Sequence, residues 1–169
     1  MKTLLKLTVS LLAITTLFAC SKQEEQVVKL HDAVKIEQGD ECHLCGMIIS
    51  NFGGPKGELF RKDVTEAQSN QVKKFCSTRD MFSFYLDPEN KRNVTSILVH
   101  DMSKSPWGEP NDEYFINARD AWFVTGSSKR GAMGATLASF SSQQDAQTFA
   151  KEFGGKVLSF EQVNLDAIM

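Results

Sequence analysis

The sequence predicts an α+β fold built on antiparallel sheet. Two observations carry that reading. Its short strand-like runs are not strictly interleaved with helices, as they would be around a parallel sheet. A faint internal repeat also recurs at an offset of 65 residues: Phe75, Ser77, Asp80 and Phe84 align with Phe140, Ser142, Asp145 and Phe149. Each copy reads as a strand, a Ser-capped helix and a second strand.

The first 39 residues read as an address and a tether. Lys2 and Lys6 form a basic start, and residues 7–18 form an apolar run of signal-peptide length. A membrane span needs roughly 20 apolar residues. The run closes on Leu17-Phe18-Ala19-Cys20, which resembles a bacterial lipobox, in which cleavage precedes a Cys that is then acylated. Residues 1–19 are thus expected to be a lipoprotein signal peptide and Cys20 the lipidation site. Several acyl chains hold such a protein to one leaflet, each methylene contributing roughly 0.8 kcal/mol. Ser21 rather than Asp follows the Cys. In the bacterial sorting pattern this resembles, that favours the outer membrane, with the domain facing the periplasm. Residues 20–39 are rich in Lys, Glu and Gln and read as the tether; Val34 and Ile36 alternate as the start of a strand would, and His31 reads as solvated.

The elements then follow in order. Residues 51–57, dense in Gly and Pro, read as a loop, and 72–76 as a short strand. Ser77 and Asp80 have the spacing of a helix cap, and Met81, Phe82, Tyr85 and Leu86 the spacing of an apolar helix face. Pro88 is expected to end that helix. Residues 97–100 read as a strand, 103–112 as a loop, 114–117 and 121–125 as strands, and 126–134 as a Gly-containing loop. A helix over 142–153 presents Ala146, Phe149, Ala150 and Phe153 on one face, and Gly154-Gly155 closes it. Residues 157–160 form a last strand. The domain therefore divides into a first half, 40–92, and a second half, 93–169.

Composition limits the function. The chain has 169 residues and a net charge of −2, which becomes −4 once Lys2 and Lys6 leave with residues 1–19. No basic nucleic-acid surface is implied. Twelve Phe and two Trp suffice for a core. With Cys20 acylated, Cys42, Cys45 and Cys76 remain, and an odd thiol count in an exported chain needs a reason.

The chemistry concentrates in Cys42-His43-Leu44-Cys45-Gly46-Met47. Two thiols three residues apart can meet on one ion or form one disulfide. Gly46 permits a tight turn that returns the Met47 sulfur toward the same point. Two thiolates and a thioether are soft donors suited to Cu(I). Zinc prefers four N or S ligands without Met, and no second Cys-x-x-Cys is present. A thiol-disulfide redox pair and a structural disulfide stay open beside the metal reading. Met133, between small residues in Gly131-Ala132-Met133-Gly134, is a further candidate donor. Met102, His43 and His100 rank lower. Met81 reads as core, and Cys76, where the repeat has Ser141, as a buried small residue. No nucleophile elbow, helical Ser-x-x-Lys or phosphate loop is present, so no enzyme is indicated.

Taken together, these motifs resemble the NosL family of lipoprotein copper chaperones for nitrous-oxide reductase maturation. The resemblance rests on the lipobox, the Cys42 to Met47 cluster, the Gly54-Pro55-Lys56-Gly57 loop, the 75–86 segment, Asp101-Met102 with Trp107, the Met133 loop and the Phe-rich helix. It implies two similar ββαβ halves packed together, like the organomercurial lyase fold. It implies Cu(I) held by Cys42, Cys45, Met47 and Met133. It also implies transfer, with an ABC-type maturation complex, to the copper sites of nitrous-oxide reductase.

Overall fold

The computed structural model describes residues 31–62 and 72–169. The expected signal peptide, Cys20 and the first part of the expected tether lie outside the described residues. Among those described, no helix is long and apolar enough to cross a membrane.

The first half builds a four-stranded sheet and runs past the expected boundary at 92, because residues 94–100 pair with its first strand. Strand β1 (Gly57–Arg61) lies between β2 (Lys73–Phe75) and β3 (Val94–His100), and β4 (Phe115–Asn117) extends β3. All the pairings are antiparallel. Helix α1 (Thr78–Tyr85) follows β2, and α2 (Pro88–Lys91) leads into β3. The second half repeats the plan. Strand β5 (Trp122–Thr125) lies between β8 (Ala138–Phe140) and β9 (Lys156–Ser159), again antiparallel, with helix α3 (Gln143–Phe153) after β8. Each half is therefore ββαβ, with its second strand, first strand and last strand side by side. A short hairpin, β6 (Arg130–Gly131) with β7 (Gly134–Ala135), is inserted between β5 and β8, and α4 (Leu165–Ile168) ends the chain.

The offset of 65 holds in the pairing itself. Gly57 faces Phe75 as Trp122 faces Phe140, and Leu59 faces Lys73 as Val124 faces Ala138. Both helix starts are capped alike. The Ser77 hydroxyl accepts the Asp80 amide at 3.0 Å, and that of Ser142 accepts the Asp145 amide at 3.1 Å. Helix α1 sits tightly on β1, because a side chain at Gly57 would collide with Met81. Its other buried side joins the halves: the Phe82 ring lies 5.1 Å from Phe123 and 5.6 Å from Phe160. Burying a Phe this fully contributes about 2–3 kcal/mol.

Several expectations need correction. Residues 31–39 form no strand and do not hang free. The Val34 amide donates to Glu58 Oε2 at 3.0 Å, the Ile36 amide to Asp112 Oδ2 at 2.8 Å, and Ile36 packs on the core. Side-chain carboxylates thus take the amides that a neighbouring strand would have taken. His31 is exposed but docked, stacked 4.5 Å from Phe60 and bonded to Ser96. Helix α1 ends before Pro88, which opens α2 at its first turn, where its missing N–H costs nothing. The segment 126–134 contains most of the β6–β7 hairpin, and Gly57, at the end of the expected loop, begins β1. Strand β8 is the strand that the repeat places before the Ser142 cap, whereas the rest of β1 and helix α4 have no counterpart among the expected elements.

Candidate metal site

The site forms where the loop after Asp40 meets the start of α1. The loop closes on itself through the Cys42 amide to the Met47 carbonyl and the Gly46 amide to the Cys42 carbonyl, each at 2.8 Å. Gly46 has a φ of 71°, the left-handed conformation that this turn requires. The His43 amide donates to the Lys74 carbonyl at 2.8 Å, which pins the loop to the free edge of β2. Strand β2 runs directly into Cys76 and the Ser77 cap. The pairing therefore delivers Cys76 and Asp80 to the two loop thiols.

The sulfurs of Cys42, Cys45 and Cys76 and a carboxylate oxygen of Asp80 all lie within 4.8 Å of one another. Cys45 Sγ is 3.5 Å from Cys76 Sγ, and the Cys76 thiol donates to Asp80 Oδ2 at 3.1 Å. Cys42 and Cys76 are buried, whereas Cys45 is exposed beside Leu44, an exposed apolar residue. The cluster is thus closed below and open at Cys45.

Its electrostatics favour one thiolate. The Cys76 thiol, then the backbone amides of Cys76, Cys45 and Leu44, hydrogen-bond to Cys42 and hold its thiol well below the ordinary range, against the opposing effect of burial. Cys76 is correspondingly pushed up, by its bond to Cys42 first, then by burial and the bond to Asp80. Burial raises Cys45, whose sulfur accepts the Met47 amide, and burial also raises Asp80. Lys56 lies close enough to feel Cys76 and Cys42; burial nonetheless lowers its ammonium to about 8. That ammonium donates to the carbonyls of Phe52 and Gly53 at 2.6 and 3.1 Å. A soft cation entering here displaces protons from thiols already oriented by backbone N–H groups.

Of the residues singled out from sequence, Cys42 and Cys45 meet in this cluster. Met47 is half-buried and packs against the core, with its backbone amide on Cys45. Met133 is half exposed, in the turn of the β6–β7 hairpin. The β7 side of that hairpin is tied to the first turn of α1, where Arg79 Nη1 donates to the Ala135 carbonyl at 3.3 Å and the Thr78 hydroxyl to the Leu137 carbonyl. His43 is a packing ring, edge-on to Phe84 at 5.0 Å, with Nε2 2.9 Å from Lys73 Nζ. His100 is a satisfied core histidine: it accepts the Lys56 amide at 3.1 Å, and its Nε2 lies 3.1 Å from Asp112. Met102 packs in the second half, and Met81 is core as expected. Sequence reasoning undervalued Cys76 and read Asp80 only as a cap residue. The available signal was the repeat: a Cys stands where the other half has an exposed Ser141.

Comparison with known proteins places the chain in a family. The model of the NosL family matches residues 33–168. The chain belongs to the NosL family. A relative from Stutzerimonas stutzeri, named copper-binding lipoprotein NosL, is 44% identical over 158 residues, covering 92% of this chain and 79% of the relative. A second of that name, from Achromobacter cycloclastes, is 31% identical over 166 residues, covering 96% and 82%. The crystal structure of the copper chaperone NosL from Shewanella denitrificans superposes with a TM-score of 0.74 at 54% identity, covering 79% of this chain and 96% of that one. The α+β architecture described above is thus shared with a solved NosL structure.

Proposed function

We propose that this NosL-family chain is a copper carrier, not an enzyme, and that it holds copper as Cu(I) in the thiol cluster. The observation that supports this best is the convergence of three sulfurs and a carboxylate within 4.8 Å, with one sulfur open to solvent. Soft sulfur donors select Cu(I). Cys42 and Cys45 are its loop ligands, Cys76 joins them from below, and Met47 and Met133 supply thioethers from the loop and the hairpin. The open side at Cys45 lets an acceptor's ligands enter before the buried sulfurs let go, so the ion moves by exchange and never through water.

In this reading Cys20 is acylated, and the domain faces the periplasm from the outer membrane. The anchor concentrates it near envelope partners. The acceptor is nitrous-oxide reductase, served together with its ABC-type maturation complex. The names of the relatives, copper-binding lipoprotein and copper chaperone, support the copper and membrane parts of this proposal.

The test is an anaerobic Cu(I) competition titration of reduced residues 21–169 against a coloured Cu(I) chelator, with Zn(II) in parallel. About one Cu(I) bound tightly, and weakened by Cys45→Ala and Met47→Ala, is expected. Failure of the parent to compete for Cu(I) would sink the reading. The rival, a thiol-disulfide redox protein using Cys42 and Cys45, predicts reductase activity that survives chelators and Met47→Ala. Burial argues against it: the Cys42 sulfur is inaccessible to a substrate disulfide, so the Cys42 and Cys45 pair cannot turn over together at the surface.

A further inference from the structure

The cluster carries a second chemistry when no metal fills it. We propose that the metal-free protein is a redox-gated form, in which oxidation joins Cys45 to Cys76 across the loop–helix contact. Cys42, the sequence partner of Cys45, stays free.

Three observations carry this. Cys45 Sγ and Cys76 Sγ are already in contact at 3.5 Å, although they lie 31 residues apart. Cys45 is the thiol that faces solvent, so an external oxidant reaches it first. Cys42 is buried, so an external oxidant does not reach it. Joining Cys45 to Cys76 also restrains the unfolded chain more than closing a loop within Cys42 to Cys45 would.

The chemistry balances with a small-molecule disulfide as oxidant. Cys45 loses its proton and attacks one sulfur of that disulfide. The S–S bond breaks, and one thiol leaves with the proton. The Cys76 sulfur then attacks Cys45 Sγ in the mixed disulfide and displaces the second thiol. The Cys76 proton departs along its existing bond to Asp80 Oδ2, 3.1 Å away, and ends on the departing thiol. Two cysteines lose two electrons in total, and the oxidant becomes two thiols. The product lacks two of the three thiol donors. A dithiol reductant must reopen it before a soft metal can bind.

The experiment uses the full chain in detergent, freed of metal and treated with oxidised glutathione under argon. Remaining thiols are alkylated, and the non-reduced protein is cleaved with trypsin for mass spectrometry. The expected product has lost two hydrogen atoms. It links the peptide holding Cys42 and Cys45 to the peptide holding Cys76, with the alkyl group on Cys42. Cys45→Ser, at an exposed position, should abolish this link, and Cys42→Ser should retain it. A Cys42–Cys45 or Cys42–Cys76 bond as the main product, or three alkylated thiols, overturns the proposal. Because the readout needs no metal, its failure leaves the copper reading to its own titration.

Discussion

The two halves of the molecule share one topology and put it to different uses. At the same repeat position each helix presents a Phe, and each Phe is covered by a ring from a loop. Phe84 meets His43 at 5.0 Å, edge-on, and Phe149 meets Trp107 at 5.6 Å, nearly parallel. The covering loop of the first half brings Cys42 and Cys45 on either side of its ring; that of the second half brings no thiol. Under the first roof lies Cys76, donating to Asp80. In the second half the matching Ser141 is exposed, and Asp145 accepts from Ser142 Oγ at 2.6 Å instead. The socket at the helix start is a product of the fold. What turns it into a donor cluster is the loop laid over it.

The helices differ most at the next position. Phe82 is fully buried between the halves, whereas its counterpart in the repeat, Gln147, is exposed. Phe82→Ala is expected to cost about 3–5 kcal/mol, the range for a large core truncation. Gln147→Ala should stay within about 0.5 kcal/mol. Urea unfolding of both variants measures this. Equal losses would mean that α1 is not the joint between the halves.

The first strands differ in charge. Glu58 on β1 occupies the repeat position of Phe123 on β5, and both are fully buried. Burial pushes the Glu58 carboxyl up to about 7 from its ordinary 4.5. Between those values the folded chain holds a proton that the unfolded chain has lost. Stability therefore falls as pH rises from 4.5 to 7 and is flat beyond, by about 3 kcal/mol in all. Glu58→Gln removes this slope, so above pH 7 the variant should be the more stable. Urea midpoints across pH 4.5–8 check it; parallel curves for parent and variant would refute the assignment.

These contrasts also mark what could be read from residues alone. The caps at Ser77 and Ser142 and the apolar faces of α1 and α3 are local, so spacing reveals them. Strand β1 was half hidden, because Glu58 breaks its apolar pattern and the Gly-Pro loop runs into it. The arm was misread because alternation at Val34 and Ile36 says nothing of whether a carbonyl or a carboxylate receives the amides. The Cys-x-x-Cys pair was plain, but its third sulfur arrives through one long-range contact, the His43 amide on the Lys74 carbonyl. Such a contact belongs to the tertiary structure and leaves no mark in local spacing.

Exchanging the residues before the caps probes the site directly. Cys76→Ser gives the first half the chemistry of the second, and Cu(I) affinity should fall about 100-fold or more, beyond the 10–100-fold typical of losing a group that only supports a ligand. Ser141→Cys gives the second half a thiol with no roof of thiols, and should add no Cu(I) binding of comparable strength. The chelator titration described above reads both. If Cys76→Ser binds as the parent does, the cluster is smaller than its geometry suggests, and the loop sulfurs with a thioether suffice.

The smallest expected difference lies in the caps themselves. Loss of a Ser cap typically costs about 1 kcal/mol. Ser142 is partly solvated, so water can take the Asp145 amide in Ser142→Ala, and the cost should stay near that figure. Ser77 is buried at 3% exposure, and the Asp80 amide it serves has no such recourse. Ser77→Ala should therefore cost about 2 kcal/mol, the cap together with a stranded buried N–H. Because that cap also fixes the turn between Cys76 and Asp80, Ser77→Ala should loosen Cu(I) as well, by up to roughly tenfold, as for other residues that orient ligands. Ser142→Ala should leave the metal untouched. A Ser142→Ala variant that weakened Cu(I) as much as Ser77→Ala would show that the halves are coupled through the core, and that the site does not belong to the first half alone.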